Sequence, residues 1–232
     1  MRNLDSIKVI GFDADDTLWI NEPFFREKEA EFAQMFSAYG DTKSLIEKLH
    51  QIEIGNLKTF GYGIKNFTIS MIETAIVITD GKVNAPAIQE IIELGRAMTD
   101  HPVVLLNNIA EALDYLYLKY RLILVTKGDL MEQERKLRLS KLEKYFHHIE
   151  IMSEKHEENY QKLVQRLDIL PEQLLMVGNS LRSDIIPPLN IGCKAIHVPF
   201  ETTWIHEQVS NPQLDPERFQ EISTLHELLD IL

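Results

Sequence analysis

A single cysteine, Cys193, stands in 232 residues. No internal disulfide can form, and the composition suits a reducing compartment. Cys193 follows Ile191-Gly192 and opens an apolar run, which reads as a small core residue rather than a reactive thiol. Basic residues are also scarce, with 24 Lys and Arg against 36 Asp and Glu and a formal net charge of -12. That balance argues against a nucleic-acid partner, because duplex binding draws affinity from cationic side chains on phosphates. No apolar run is long enough to span a bilayer, and the first residues lack a basic start followed by an apolar core. The expectation is a soluble cytoplasmic protein away from membranes; oligomeric state is not readable. G-x-x-x-x-G-K-[ST], G-x-G-x-x-G and H-E-x-x-H are all missing, which disfavours triphosphate loops, dinucleotide cofactors and helical zinc pairs. Internal repeats, low-complexity tracts and glycine-rich linkers are absent too. What remains is an apolar fraction of 44% and a charged fraction of 26%, enough for a large core in one domain or one domain carrying an insertion.

The order of patterns predicts an α/β fold. Ile7 to Phe12 is a β-branched and apolar run that stops at Asp13-Ala14-Asp15-Asp16-Thr17, as a buried strand does at a polar turn. From Glu22 to Met98 the periods are helical, with Ile76-Val77-Ile78 read as part of a helix that includes Met71 and Ile72. After Pro102 helices alternate with apolar runs at Leu122 to Val125, Ile149 to Met152, Leu174 to Val177 and Ala195 to Val198. Such alternation describes a doubly wound parallel sheet, a Rossmann-like core, with an inserted all-helical domain. The expected core is residues 1–17 and 104–232, the helical insertion 18–103, with hinges near Leu18 to Pro23 and Asp100 to Leu105. Ligands of these sheets bind beyond the carboxyl ends of the strands. Asp13, Thr126 and the turn Gly178-Asn179-Ser180 all follow strand ends, so they should gather at one rim.

Two acids one residue apart, Asp13 and Asp15, repel unless a counter-charge is present, which a divalent cation would provide. Acids after a strand also serve as plain turn or helix caps, and the triplet alone leaves both readings open. The segment Phe12-Asp13-Ala14-Asp15-Asp16-Thr17-Leu18 resembles the signature of the haloacid dehalogenase superfamily of hydrolases. Thr126 after its strand, Lys155 before a helix, and Gly178-Asn179-Ser180 with Asp184 match the family's further stations in order. The helical insertion matches the place of the family's cap domain, so the resemblance runs over essentially the full length.

The resemblance implies a Mg²⁺-dependent phosphatase acting on a small phosphate ester, in which Asp13 is the nucleophile and Asp15 the proton donor and base. It implies phosphate contacts from Thr126, the Lys127 amide and Lys155, and a metal held by Asp13, the Asp15 carbonyl and Asp184. Asn179 stands where many relatives have Asp; its amide oxygen can ligate but adds no charge. Thr17, Ser180 and Tyr62 are further candidates. Gly61-Tyr62-Gly63 reads equally as a substrate-selecting loop or an exposed interhelical turn, Arg182 as a surface helix arginine, and His147-His148 as a solvated helix end. The family also contains sugar-phosphate mutases on the same site, metal-free 2-haloacid dehalogenases, and relatives that bind phosphate without turnover. Asp15 argues against the dehalogenases, which lack a carboxylate two residues after the nucleophile and expel halide without an acid.

Overall fold

The computed structural model describes residues 4–202, 204–207, 209 and 212–232, and the chain divides into two compact units. The first comprises Met1–Ile20, Val103–Lys127 and Gln133–Leu232; the second comprises Asn21–Pro102 and Gly128–Glu132.

The first unit is built on six strands: β1 (Val9–Phe12), β2 (Arg121–Lys127), β3 (His148–Met152), β4 (Leu174–Gly178), β5 (Lys194–His197) and β6 (Phe219–Glu221). Every pairing is parallel and the order is β3-β2-β1-β4-β5-β6. The chain runs outward from β1 through β2 and β3, then returns to the other side of β1 for β4. The place where strand order reverses therefore lies at β1, where such sheets open a crevice at the carboxyl ends. The apolar runs become strands because both faces are covered, and β1, β4 and β5 are buried at every residue.

The second unit contains four helices, α1 (Glu22–Met35), α2 (Thr42–Phe60), α3 (Ile64–Ile78) and α4 (Ala85–Asp100), closed over Phe32, Leu49, Phe67, Met71 and Ile91. Asp41 caps α2 by accepting the Ser44 amide at 3.0 Å, and Asn84 caps α4 by accepting that of Ala87 at 2.9 Å. Ile76 to Ile78 belong to α3, as the pattern predicts.

Around the sheet run α5 (Ile109–Tyr117), α6 (Leu130–Ser140), α7 (Glu157–Arg166), and the short α8 (Ile186–Asn190) and α9 (Leu228–Ile231). Alternate strand residues serve opposite layers: Ile10, Phe12, Leu122, Leu124, Leu175 and Val177 share a core with α5. Val9, Ile123, Val125, Leu174 and Met176 share another with Tyr160 and Leu163 of α7. Cys193 is buried in that second layer, and burial pushes its thiol up to about 12, as a core residue requires.

Three details depart from expectation. β6 is an extra edge strand, three residues long and partly exposed, too short and polar to leave an apolar signature. His148 is no helix end: it opens β3, with Ile123 as its partner in β2 and Glu150 Oε2 3.0 Å from its Nε2. Residues 18–20 cluster with the sheet, because Leu106 and Ile20 exchange backbone bonds with Leu18 and Val104 across a short ribbon.

Residues Gly128–Glu132 cluster with the helices. There Glu132 Oε2 accepts the Ile64 amide at 2.8 Å and Asp129 Oδ2 meets Lys65 Nζ at 2.8 Å. Gly63, with φ 101°, approaches the Glu132 carboxylate so closely that any Cβ would collide with it.

The helical unit also buries a polar group. Glu29 takes Arg26 at 2.9 Å and His50 at 2.7 Å, while Glu53, only 7% exposed, stands nearby. Burial first, then the charge of Glu29, raises the Glu53 carboxyl to about 7, against weaker pulls from His50 and Arg26. A folded-state value above the unfolded one means stability is lost as pH rises from the ordinary glutamate range through about 7. Glu53→Gln should therefore gain little at pH 5 and about 3 kcal/mol by pH 8, read from denaturant unfolding of both proteins across that range. A pH-independent difference would show that Glu53 is not the group responsible.

Candidate active site

Asp13 follows β1 directly, and its amide continues the ladder by donating to Val177 O at 2.9 Å. Asp16, at φ 60°, turns the chain so that its own amide reaches the Trp19 carbonyl at 2.7 Å; Asp is among the residues that tolerate this left-handed geometry. Thr17 is thereby folded back over the strand end. Its Oγ1 lies 3.0 Å from Asp13 Oδ2 and 3.2 Å from Asn179 Oδ1, and it accepts the Asn179 amide at 3.1 Å.

From the far side of β1 comes the loop after β4. Ser180 caps the π-helical turn Leu181–Ile185, and its amide donates to Asp184 Oδ2 at 3.0 Å. The Tyr160 hydroxyl, buried and held protonated by burial and by the charges of Asp184 and Asp13, donates to the Ser183 carbonyl at 3.0 Å. Asp184 lies directly against Gly178, where an added Cβ would overlap its carboxylate. Gly178→Ala should push Asp184 off its bonds to Lys155 and the Ser180 amide and cost about 1–3 kcal/mol, the usual range for overpacking a filled site. Denaturant unfolding of both proteins checks this; unchanged stability would show that the site makes room without strain.

Lys155, 2% exposed, joins the two acids: its Nζ donates to Asp13 Oδ1 at 2.5 Å and to Asp184 Oδ1 at 2.6 Å. Burial alone would lower Lys155, yet the charges of Asp13 and Asp184 keep its ammonium above the usual lysine value. Burial, and next the charge of Asp184, lifts Asp13 to about 7 despite Lys155. One cation serving two buried carboxylates leaves a surplus negative charge.

The Asp15 carboxylate goes elsewhere. It accepts Trp19 Nε1 at 2.6 Å, Gln133 Nε2 at 2.8 Å and Lys136 Nζ at 3.0 Å. Thr126 is buried at the carboxyl end of β2, but its hydroxyl bonds none of the acids, reaching only the Lys127 carbonyl at 3.5 Å. The Lys127 ammonium donates to Ser183 Oγ at 3.0 Å and pairs with Glu207. Asp13, Thr17, Lys155, Asn179, Ser180 and Asp184 thus form one bonded cluster, with Lys127 joined through Ser183. Tyr62 lies in the helical unit between α2 and α3, partly buried. Arg182 sits in the π-helical turn and donates to the His206 carbonyl at 2.7 Å.

Trp19, Gln133, Lys136, Ser183 and Glu207 were missed by the sequence reading. Gln133 and Lys136, three apart just after the Thr126 turn, share one face of α6, and that spacing was the available signal. Glu207 ends the three-residue 3-10 turn Ile205–Glu207, too short to carry a periodic signal.

The donor set suits a hard cation. Two carboxylates and the Asn179 amide oxygen are all oxygen donors, and the surplus negative charge suits a cation. Among the described residues no three His, Cys, Asp or Glu side chains form a metal cluster, so any ion here must rely on carbonyl and water oxygens as well.

A family model described as a haloacid dehalogenase-like hydrolase matches residues 7–192. The chain belongs to the haloacid dehalogenase-like hydrolases. A solved member from Xanthomonas campestris is 38% identical, covering 97% of this hydrolase and 90% of that chain with a TM-score of 0.86. N-acylneuraminate-9-phosphatase of Mus musculus is 26% identical over 215 residues, 88% of this hydrolase and 84% of the relative. The Homo sapiens N-acylneuraminate-9-phosphatase is 25% identical over the same shares. Among the described residues no helix of the hydrolase is long and apolar enough to cross a membrane.

Proposed function

We propose that this hydrolase cleaves a small phosphate monoester through an aspartyl-phosphate on Asp13. The observation that carries the reading is the buried Asp13–Lys155–Asp184 bridge at the point where strand order reverses. Asp13, Asp184 and the Asp15 carbonyl, with the Asn179 amide oxygen, would hold Mg²⁺, which when bound neutralises charge on the phosphoryl oxygens. Thr126, the Lys127 amide and Lys155 orient the phosphoryl group and offset its charge.

Asp13 attacks phosphorus as the ester oxygen leaves with a proton from Asp15. Asp15, now ionised, takes a proton from water, whose oxygen displaces Asp13 from phosphorus. In this structure Trp19, Gln133 and Lys136 hold the Asp15 carboxylate away from the cluster, so the exchange requires Asp15 to leave those donors and turn toward Asp13. The helical unit Asn21–Pro102, with Tyr62 in it, would act as the cap that selects the substrate and excludes water.

The relatives named as phosphatases of an N-acylneuraminate 9-phosphate make phosphorylated sugars the first compounds to try. Phosphate release from a panel of phosphorylated metabolites, with Mg²⁺ and with EDTA, tests the reading. Metal-dependent release from at least one is expected, and none from any, aryl phosphates included, would defeat it. A mutase would instead need a sugar bisphosphate primer and yield an isomeric sugar phosphate.

A further inference from the structure

Glu207 is buried, stands outside every motif named above, and is bonded to three residues of the site's rim. One carboxylate oxygen pairs with the Lys127 ammonium at the end of β2. The other accepts the Ser180 hydroxyl, and that of Ser183 at 2.6 Å. Lys127 Nζ also donates to Ser183 Oγ, which closes the ring of contacts. Burial would raise this carboxyl, but Lys127 and the two hydroxyls hold it down at about 2.

The two serines are not peripheral. Ser180 Oγ caps the turn by accepting the Ser183 amide at 3.1 Å, and the Ser180 amide holds Asp184 Oδ2. Ser180 follows Asn179, and Ser183 precedes Asp184. A hydroxyl that donates to Glu207 keeps its lone pair turned to the amide it caps, so the carboxylate orients the cap as well as anchoring it. A carboxylate bound by one ammonium and two hydroxyls has little freedom left.

We propose that Glu207 is a positioning residue for the metal-binding loop: by tying Ser180 and Ser183 to Lys127, it fixes Asn179 and Asp184 against Asp13. The inference rests on the metal reading of that cluster given above. It assigns Glu207 no contact with substrate or metal. Its effect belongs in metal affinity rather than in the chemical step, since outer-shell partners of metal ligands typically govern affinity.

Mg²⁺ binding to the purified full chain, measured by titration calorimetry without substrate, is compared for wild type, Glu207→Ala, Glu207→Gln and Ser183→Ala. Glu207→Ala should weaken Mg²⁺ binding by about tenfold or more, and Ser183→Ala, which breaks one strand of the tie, by about threefold. Glu207→Gln, keeping an acceptor but not the charge opposite Lys127, should fall between them. With phosphatase activity as the second readout, the metal concentration for half-maximal rate should rise in parallel. The kcat at saturating Mg²⁺ should stay within about threefold of wild type.

Wild-type protein that binds no Mg²⁺ would overturn the metal reading itself. Wild-type binding with unchanged affinity in Glu207→Ala, even if its Tm falls, would overturn the positioning role and leave the metal reading intact. If Glu207→Ala does not fold, unchanged Mg²⁺ affinity in Ser183→Ala does the same.

Discussion

Asp13→Asn should lose turnover of any phosphate ester by about 10⁴-fold or more, because on the proposed mechanism the residue removed is the attacking group and not an accessory to it. The same change should leave the fold as stable as before, or more so. Asp13 and Asp184 share one ammonium, and burial together with Asp184 already holds the Asp13 carboxyl up near 7. An amide at position 13 keeps its oxygen as the acceptor for Lys155 and turns its NH₂ to Thr17, whose hydroxyl can accept it while donating to Asn179; the charge that lacked a full partner is gone, leaving a neutral Lys155–Asp184 pair. Phosphate release and thermal unfolding on the same preparation give the two readings. Metal-dependent activity within about tenfold of wild type would dismiss Asp13 as nucleophile.

Lys155→Met is the opposite experiment. It keeps much of the side-chain volume and strands two carboxylates, Asp13 at 7% and Asp184 at 1% exposure, with no cation between them. Removing one partner of a buried ionic group costs about 3–5 kcal/mol, since the desolvation already suffered by the others is no longer offset. The loss should depend on pH in a determined direction. Two uncompensated buried acids have folded-state values raised above their unfolded ones, so the variant recovers as pH falls and the acids take up protons, and is weakest above neutrality. Urea unfolding of both proteins at pH 5 and pH 8 tests this, and a loss equal at both values would mean that the lysine acts through packing alone. Added Mg²⁺ should restore part of the stability at pH 8, by mass action on the folded state.

The layered sheet was legible because its signal is local. Leu122 to Val125 and Leu174 to Val177 are apolar at every position, and only strands covered on both faces require that. The catalytic candidates were legible for a related reason: Asp13, Thr126 and Asn179 end such runs, and strand ends in this topology converge. β6 escaped since an edge strand of two half-buried residues and one exposed needs no apolar pattern. His148 was misplaced because a polar side chain bonded to Glu150 reads the same in a strand as in a helix end. The destination of the Asp15 carboxylate was beyond reach for a different cause. Its partner Lys136 is 121 residues away, and nothing in either neighbourhood specifies the other. Glu207 is the extreme instance, a charge at the end of a single 3-10 turn whose meaning comes from the two serines and the lysine it meets.

α6 begins within the helical unit and ends in the sheet unit, since Gly128–Glu132 clusters with the helices and Gln133 onward with the strands. The polypeptide therefore passes between the two units four times, at 20/21, 102/103, 127/128 and 132/133. Grafting a foreign insert into the gap between residues 20 and 103 would leave Asp129 and Glu132 without Lys65 and the Ile64 amide. A chimera of this hydrolase must carry that five-residue piece along with its helices, or rebuild it for the newcomer.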